Sequence, residues 1–377
     1  MGFQERGGIK SNVYIAGLEI HAFHSVKDMP GPGKIIKCIF LAILLIITVI
    51  VLVQWDLVIY GLQQGKGQLN IIWNAQPVED FLASATFPDS LKKKLVLIHK
   101  VRQYAIDSLG LKDTKNYKTL YDQKGQEVMW VVMASEPFRL KAKEWTFPVI
   151  GSVPYKGFFD WKKAVKLKDE LEKEGWDVNV RNPGGWSTLG WFTDPILSKM
   201  LERSDGDLAN LIIHEMSHAT IFVKDSIDFN ENLATFIGDR GAEKFLISAY
   251  GRESKEFKVY MNEDKDYVMF AEHMLRGSEK LDSLYRSIPL DSPKEKKLRS
   301  KREMIHRIVT SLDTLSLSES SPNPSLRYQD KLPNNAYFMN FIRYQAKQDV
   351  FGQEWRNKFQ GDLKLYIAYL SNRYPFL

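Results

Sequence analysis

LANLIIHEMSHATIFVKDSIDFNENLATF, residues 208–236, is the stretch from which the rest of the chain is read. At its centre stands His-Glu-Met-Ser-His, His214 to His218, directly after the apolar run Leu211, Ile212 and Ile213. On a helix, positions four apart share one face a turn apart, so both imidazoles can reach a single tetrahedral metal ion. Glu215, one residue round the helix, then faces the open position of that ion, where a carboxylate acts on a water molecule. Thirteen residues after His218 comes Glu231, in Asn-Glu-Asn-Leu-Ala-Thr. The interval leaves room to end one helix, turn through residues 224–228 and start a second helix antiparallel to the first. A carboxylate near the start of that second helix completes a His214, His218, Glu231 ligand set, and the ion expected is Zn2+. Glu231 also has a local reading. Asp228 lies three positions before it, and the two would make a capping box. The histidines likewise have a bland reading, as satisfied core residues of a buried helix.

The 377 residues are long enough for a large core, and the net charge of +6 is modest. Basic residues are interspersed with acids and are not clustered with aromatics, which argues against a nucleic-acid partner. The single cysteine, Cys38, excludes intrachain disulfides and any site built on several cysteine ligands.

Residues 1–33 show no period and read as a cytoplasmic tail. Residues 38–53, CIFLAILLIITVIVLV, are uncharged and apolar; with Ile35 and Ile36 before them and Trp55 and residues 57–60 after, they predict a transmembrane anchor over 34–60. Lys27, Lys34 and Lys37 precede the run, and the next basic residue is Lys66. The positive-inside rule therefore places the N-terminus inside and residues 61–377 in the periplasm, held to the inner membrane by one pass. No small-x-small cleavage site follows the apolar run, so the anchor is expected to stay attached.

Beyond the anchor, apolar spacing predicts helices over 69–81 and 91–109, strands over 127–135 and 145–153, and a turn at 157–160. A charged helix follows at 162–173 and a strand at 176–180. The loop at 182–185 leads into 186–192, an edge strand suited to holding an extended peptide beside the metal, with Trp186, Trp191 and Phe192 as pocket or core residues. Asp194-Pro195 opens a helix to residue 201, and Asp205 or Asp207 is expected to cap the metal helix. Long charged helices are expected at 256–284 and 294–315, a surface loop at 316–333, an aromatic-rich helix from residue 334, and a final helix over 353–372. The fold class expected is α+β, mostly helical, with a small antiparallel sheet ahead of the metal helix.

Peptide hydrolysis also needs a donor for the developing oxyanion. Tyr344 is the first choice, with Tyr337 and Tyr155 as alternatives. Holding a free substrate amine needs an acid or amide, for which Glu243 and Asp239 are available.

YGLQQGKGQLNII (60–72), WTFPVIGSVPYKGFFD (145–160), STLGWFTDP (187–195), HEMSHATIFVKDSIDFNENLATF (214–236) and PNNAYF (333–338), in this order, resemble the bacterial family of predicted zinc aminopeptidases. These are membrane-anchored or lipoprotein members of the HExxH gluzincin group, and the resemblance runs from about residue 60 to the C-terminus. It implies a zincin-like fold, His214, His218 and Glu231 as zinc ligands, Glu215 as general base, and a peptide or protein substrate. The chain departs from the pattern in two places. It lacks the lipoprotein cysteine of many members. It also carries Thr235 where thermolysin-type gluzincins often place an Asp that orients a histidine, leaving Asp239 as the substitute. Two further readings compete: an endopeptidase of envelope proteins using the same site, and a non-catalytic anchored scaffold, whose mark would be loss of Glu215.

Overall fold

The computed structural model describes residues 32–148, 151–183, 193–318, 323–345 and 347–374. The tail at 1–31 and the expected substrate strand at 186–192, with Trp186, Trp191 and Phe192, lie outside the described residues. The chain divides into two compact units, residues 1–61 and 62–377.

In the first unit the apolar run forms α1 (Pro32–Val53), of which Gly33–Val53 is long and apolar enough to cross a membrane. Phe40, Leu45 and Leu52 are exposed along it. α1 ends at Val53. Gln54 and Asp56 interrupt the apolar run, and a second helix, α2 (Trp55–Asn74), begins beyond Gln54.

In the second unit the expected helix over 69–81 is broken. Pro77 supplies no N–H and disfavours a helical residue before it, so α2 stops and β1 (Gln76–Pro77) and α3 (Val78–Ala83) follow. Next, α4 (Asp89–Asp107) buries Leu95, Ile98, Val101, Arg102 and Ala105 on one helical face. Then come β2 (Thr119–Tyr121) and β3 (Trp130–Ser135). Residues 145–153 form not one strand but an antiparallel pair, β4 (Trp145–Phe147) and β5 (Gly151–Val153), with Gly151 at φ 76°. The turn expected at 157–160 is instead largely strand β6 (Lys156–Phe158), and α5 (Trp161–Lys173) starts where the Asp160 side chain accepts from the Lys162 N–H. After β7 (Asp177–Arg181) comes β8 (Ile196–Leu197) and a 3-10 turn at Ser198–Glu202, in place of the helix expected over 194–201.

Three small sheets occur among the described residues. β6-β3-β7 is antiparallel throughout, β1-β2-β8 contains the parallel pair β2/β8, and β4-β5 is a ribbon. The α+β, mostly helical class is observed, with a mixed sheet and a ribbon beside the expected antiparallel one.

The helical body consists of α6 (Asp205–His218), α7 (Ile227–Tyr250), α8 (Lys255–Ser287), α9 (Lys294–Thr310), α10 (Asn335–Gln345), α11 (Gln348–Phe359) and α12 (Leu363–Arg373). The last two replace the single helix expected over 353–372, because Gln360 and Gly361 take left-handed conformations, φ 51° and 79°, that end α11. One large core joins α4, α6 and α7, including Ile98, Ile212 and Ile237; a smaller one joins α8, α9 and α10, including Met274, Ile308 and Phe338. A buried polar knot ties the smaller core to the antiparallel sheet. Lys301 Nζ donates to Asp177 and to the Pro137 carbonyl, and the Asn335 N–H donates to the same Asp177 carboxylate.

Candidate active site

The helix carrying His-Glu-Met-Ser-His is α6. Ser204, rather than Asp205 or Asp207, caps it, its Oγ accepting from the Asp207 N–H at 3.2 Å. The two aspartates instead place negative charge in the first turn, where the helix dipole favours it. Leu208, Ala209, Ile212, Ile213 and Met216 bury one side of α6 and leave His214 and His218 on another. The connection to α7 is closed by one side chain. Asn230 Oδ1 accepts from the Val223 N–H (2.9 Å) and its Nδ2 donates to the Val223 carbonyl (2.8 Å). Ser226 stands at the N-cap of α7, so Asp228 is already helical and the capping-box reading of Glu231 is not realised. Asp228 instead accepts from Arg343 Nε at 3.0 Å.

Two glycines set how closely α6 and α7 pack. A Cβ at Gly238 would lie 2.7 Å from Asn210 Oδ1 and 3.2 Å from His214 Cβ; one at Gly241 would lie 2.9 Å from Ile213 Cγ2. As Gly238 faces Asn210 and His214 while Glu231 faces His214 and His218, the two helices run antiparallel, as the spacing predicts.

The consequence is a triangle of ligand-type atoms. His214 Nε2 and His218 Nε2 are 3.2 Å apart, and each is 3.5 Å from Glu231 Oε2. Ligand bonds of about 2.0–2.1 Å around a tetrahedral ion give edges of about 3.3–3.4 Å, so the set fits such an ion in size as well as in chemistry. The electrostatics agree. Burial disfavours a charged His218, but the Glu231 and Glu215 carboxylates outweigh it and raise its proton affinity. Burial opposes ionisation of Glu231 too, yet the two imidazoles hold its carboxyl well below the usual range. The cluster is built to hold positive charge.

Glu215 lies beside this triangle, and burial pushes its carboxyl upward against the pull of His214 and His218. Within its electrostatic reach stands Tyr117, buried, at φ 62°, its hydroxyl without a hydrogen-bond partner among the described residues. Of the three tyrosines considered for the oxyanion, Tyr337 is elsewhere, its hydroxyl 2.7 Å from that of Tyr328 in the smaller core. Tyr155 and Tyr344 lie within the electrostatic reach of Glu231. Both are raised by burial and then by the Glu231 charge, Tyr344 to about 12.

Asp239 does not take the orienting role expected of it. It accepts from Asn210 Nδ2 at 2.7 Å, and burial with the nearby Asp264 pushes it up to about 7. Glu243 is paired with Arg240 at 2.9 Å.

Sequence reasoning missed Tyr117, Arg181 and Arg343. Arg181, at the end of β7, donates from Nη2 to the Tyr344 hydroxyl at 3.1 Å. Arg343, 1% exposed, is bound by Asp228. Its one local cue is a cation inside the aromatic stretch MNFIRY. The other two carry none, because strand ends and loop tyrosines have no distinguishing spacing.

No curated protein and no solved structure matches the chain. The model of the family described as "putative aminopeptidase" matches residues 59–372, a span that takes in the whole cluster, and the chain belongs to that family.

Proposed function

We propose that this protein is a zinc-dependent peptidase, acting as an aminopeptidase, anchored in the inner membrane by α1 with residues 61–377 on the periplasmic side. The observation that carries the reading is the His214–His218–Glu231 triangle, with edges of 3.2, 3.5 and 3.5 Å and Glu215 beside it. Family membership supports the peptide substrate. The lysines at 34 and 37 ahead of the apolar run support the orientation.

His214, His218 and Glu231 would hold the ion. Zinc, when bound, polarises the scissile carbonyl and lowers the pKa of water toward neutrality. Glu215 takes the proton of the attacking water and returns it to the departing amine. Its desolvation, which strengthens its hold on a proton, suits the second half of that cycle. Tyr344 donates its hydroxyl proton to the carbonyl oxygen as negative charge grows there. Because Arg181 already donates to the Tyr344 oxygen, the hydroxyl proton is turned away from Arg181 and is free for this role.

The test is zinc content and hydrolysis of unblocked peptides by the full-length chain in detergent, wild type beside Glu215→Gln. About one zinc per chain in both, with turnover only in the wild type, is expected. Zinc in both without turnover would favour the scaffold reading, and no zinc in either would overturn the site.

A further inference from the structure

Two guanidinium groups, Arg181 and Arg343, act electrostatically on Tyr155 and Tyr344, which the Glu231 carboxylate also reaches, and they differ in one respect. Arg343 is neutralised by Asp228 at 3.0 Å. Arg181 is half-buried, its Nη2 bound to a neutral hydroxyl, its Nε buried with no hydrogen-bond partner, and it meets no carboxylate among the described residues. A partly desolvated cation without a counter-ion is costly, and an incoming anion relieves that cost. The two Nη groups at the outer end of the guanidinium form a planar fork that matches a carboxylate.

Its place relative to the chemistry narrows the anion further. The guanidinium is 3.1 Å from the Tyr344 hydroxyl, and both Tyr344 and Tyr155 lie within the electrostatic reach of Glu231 and of Arg181. If Tyr344 reaches the scissile carbonyl, Arg181 lies about one extended residue beyond it, at ~3.3–3.6 Å per residue. Resting on the peptidase reading, we infer that Arg181 binds the free C-terminal carboxylate of the substrate, so that the substrates are short peptides ending one or two residues past the cleaved bond. The site then measures peptide length from the C-terminal side.

The experiment compares L-alanyl-L-alanine with its C-terminal amide, using the full-length zinc-loaded chain and its Arg181→Met and Arg181→Lys variants. The wild type should prefer the acid in kcat/KM by about 10- to 100-fold, the range of a hydrogen bond to a charged group, mostly through KM. That ratio should collapse toward one in Arg181→Met and fall less in Arg181→Lys, which keeps the charge without the fork. Calorimetric binding of the same two peptides to Glu215→Gln, with and without Arg181→Met, gives the same comparison without turnover. It therefore stands even if the wild type hydrolyses neither peptide, an outcome that would sink the peptidase reading alone. Equal affinity for acid and amide, or a preference surviving in both Arg181 variants, overturns the inference. Loss of turnover by the same factor on both peptides does so too, because it would put Arg181 at the scissile carbonyl.

Discussion

Adding one methyl group at Gly238 tests whether the α6/α7 packing sets the metal triangle. The new Cβ would lie 2.7 Å from Asn210 Oδ1, 3.2 Å from the Asn210 carbonyl oxygen and 3.2 Å from His214 Cβ, against ordinary contacts of 3.4–4 Å. The Asn210 amide cannot swing away freely, since it is bound to Asp239 at 2.7 Å and to the Tyr260 hydroxyl at 3.0 Å. Backbone and His214 must therefore retreat by a few tenths of an ångström. Overpacking of this kind costs about 1–3 kcal/mol, and the better helix propensity of Ala returns about 1 kcal/mol. The net loss is about 1 kcal/mol, or roughly 2 °C in melting temperature for a domain of this size. The effect on metal is larger in proportion. Ligand distances in a working site tolerate about 0.2 Å, so the retreat of His214 should weaken zinc binding about tenfold or more. Gly65→Ala in α2 is the control, because a Cβ there meets nothing within 4 Å. The assay is thermal melting together with zinc competition against a chromophoric chelator. A Gly238→Ala chain that melts at or above the wild-type temperature and holds zinc as tightly would refute the reasoning.

Other outcomes follow from the same geometry. Tyr344→Phe should lower kcat about 10²- to 10³-fold, while Tyr337→Phe, remote from the cluster, should leave turnover as it was; the reverse pattern would move the oxyanion donor to the smaller core. Asp239, with its pKa raised to about 7 by burial and by Asp264, against the lesser effects of Asn210 and Arg240, binds a proton in the folded state that it loses on unfolding above about pH 4. Its contribution is therefore full below pH 4 and is lost as pH rises toward 7, at most about 4 kcal/mol in all. Asp239→Asn should match the wild type below about pH 4 and exceed it increasingly up to pH 7.5 in urea unfolding, and parallel pH profiles would contradict this. Lys301→Ala leaves the Asp177 carboxylate, already bound by Asn335, without its cation in a buried setting, and should cost about 3 kcal/mol in the same assay.

Several features were legible from local spacing alone. The i, i+4 placement of His214 and His218 is a property of one helix, so the helix and the facing of its imidazoles follow from residues 208–218 without knowledge of any neighbour. The apolar run of α1 is recognisable by composition, and α4, α8 and α9 by their buried stripes. Helix ends were read less well. Pro77 and the left-handed pair Gln360 and Gly361 break helices that periodicity alone would continue.

The rest was decided by tertiary structure, because it depends on residues distant in sequence. Glu231 was a ligand or a capping residue on sequence grounds. The close approach of α6 and α7, permitted by Gly238 and Gly241, turns its carboxylate onto the imidazoles. Tyr337 and Tyr344 lie seven residues apart on one helix and look alike as text. Only the packing of α10 between α7 and α8 sends one to Tyr328 and the other to Arg181. Arg181 itself is an ordinary strand-end cation until the fold leaves it with no paired carboxylate among the described residues. Sequence determines which side chains share a face of one element, whereas which faces meet, and which charges are left without a partner, is set by the packing of the whole chain.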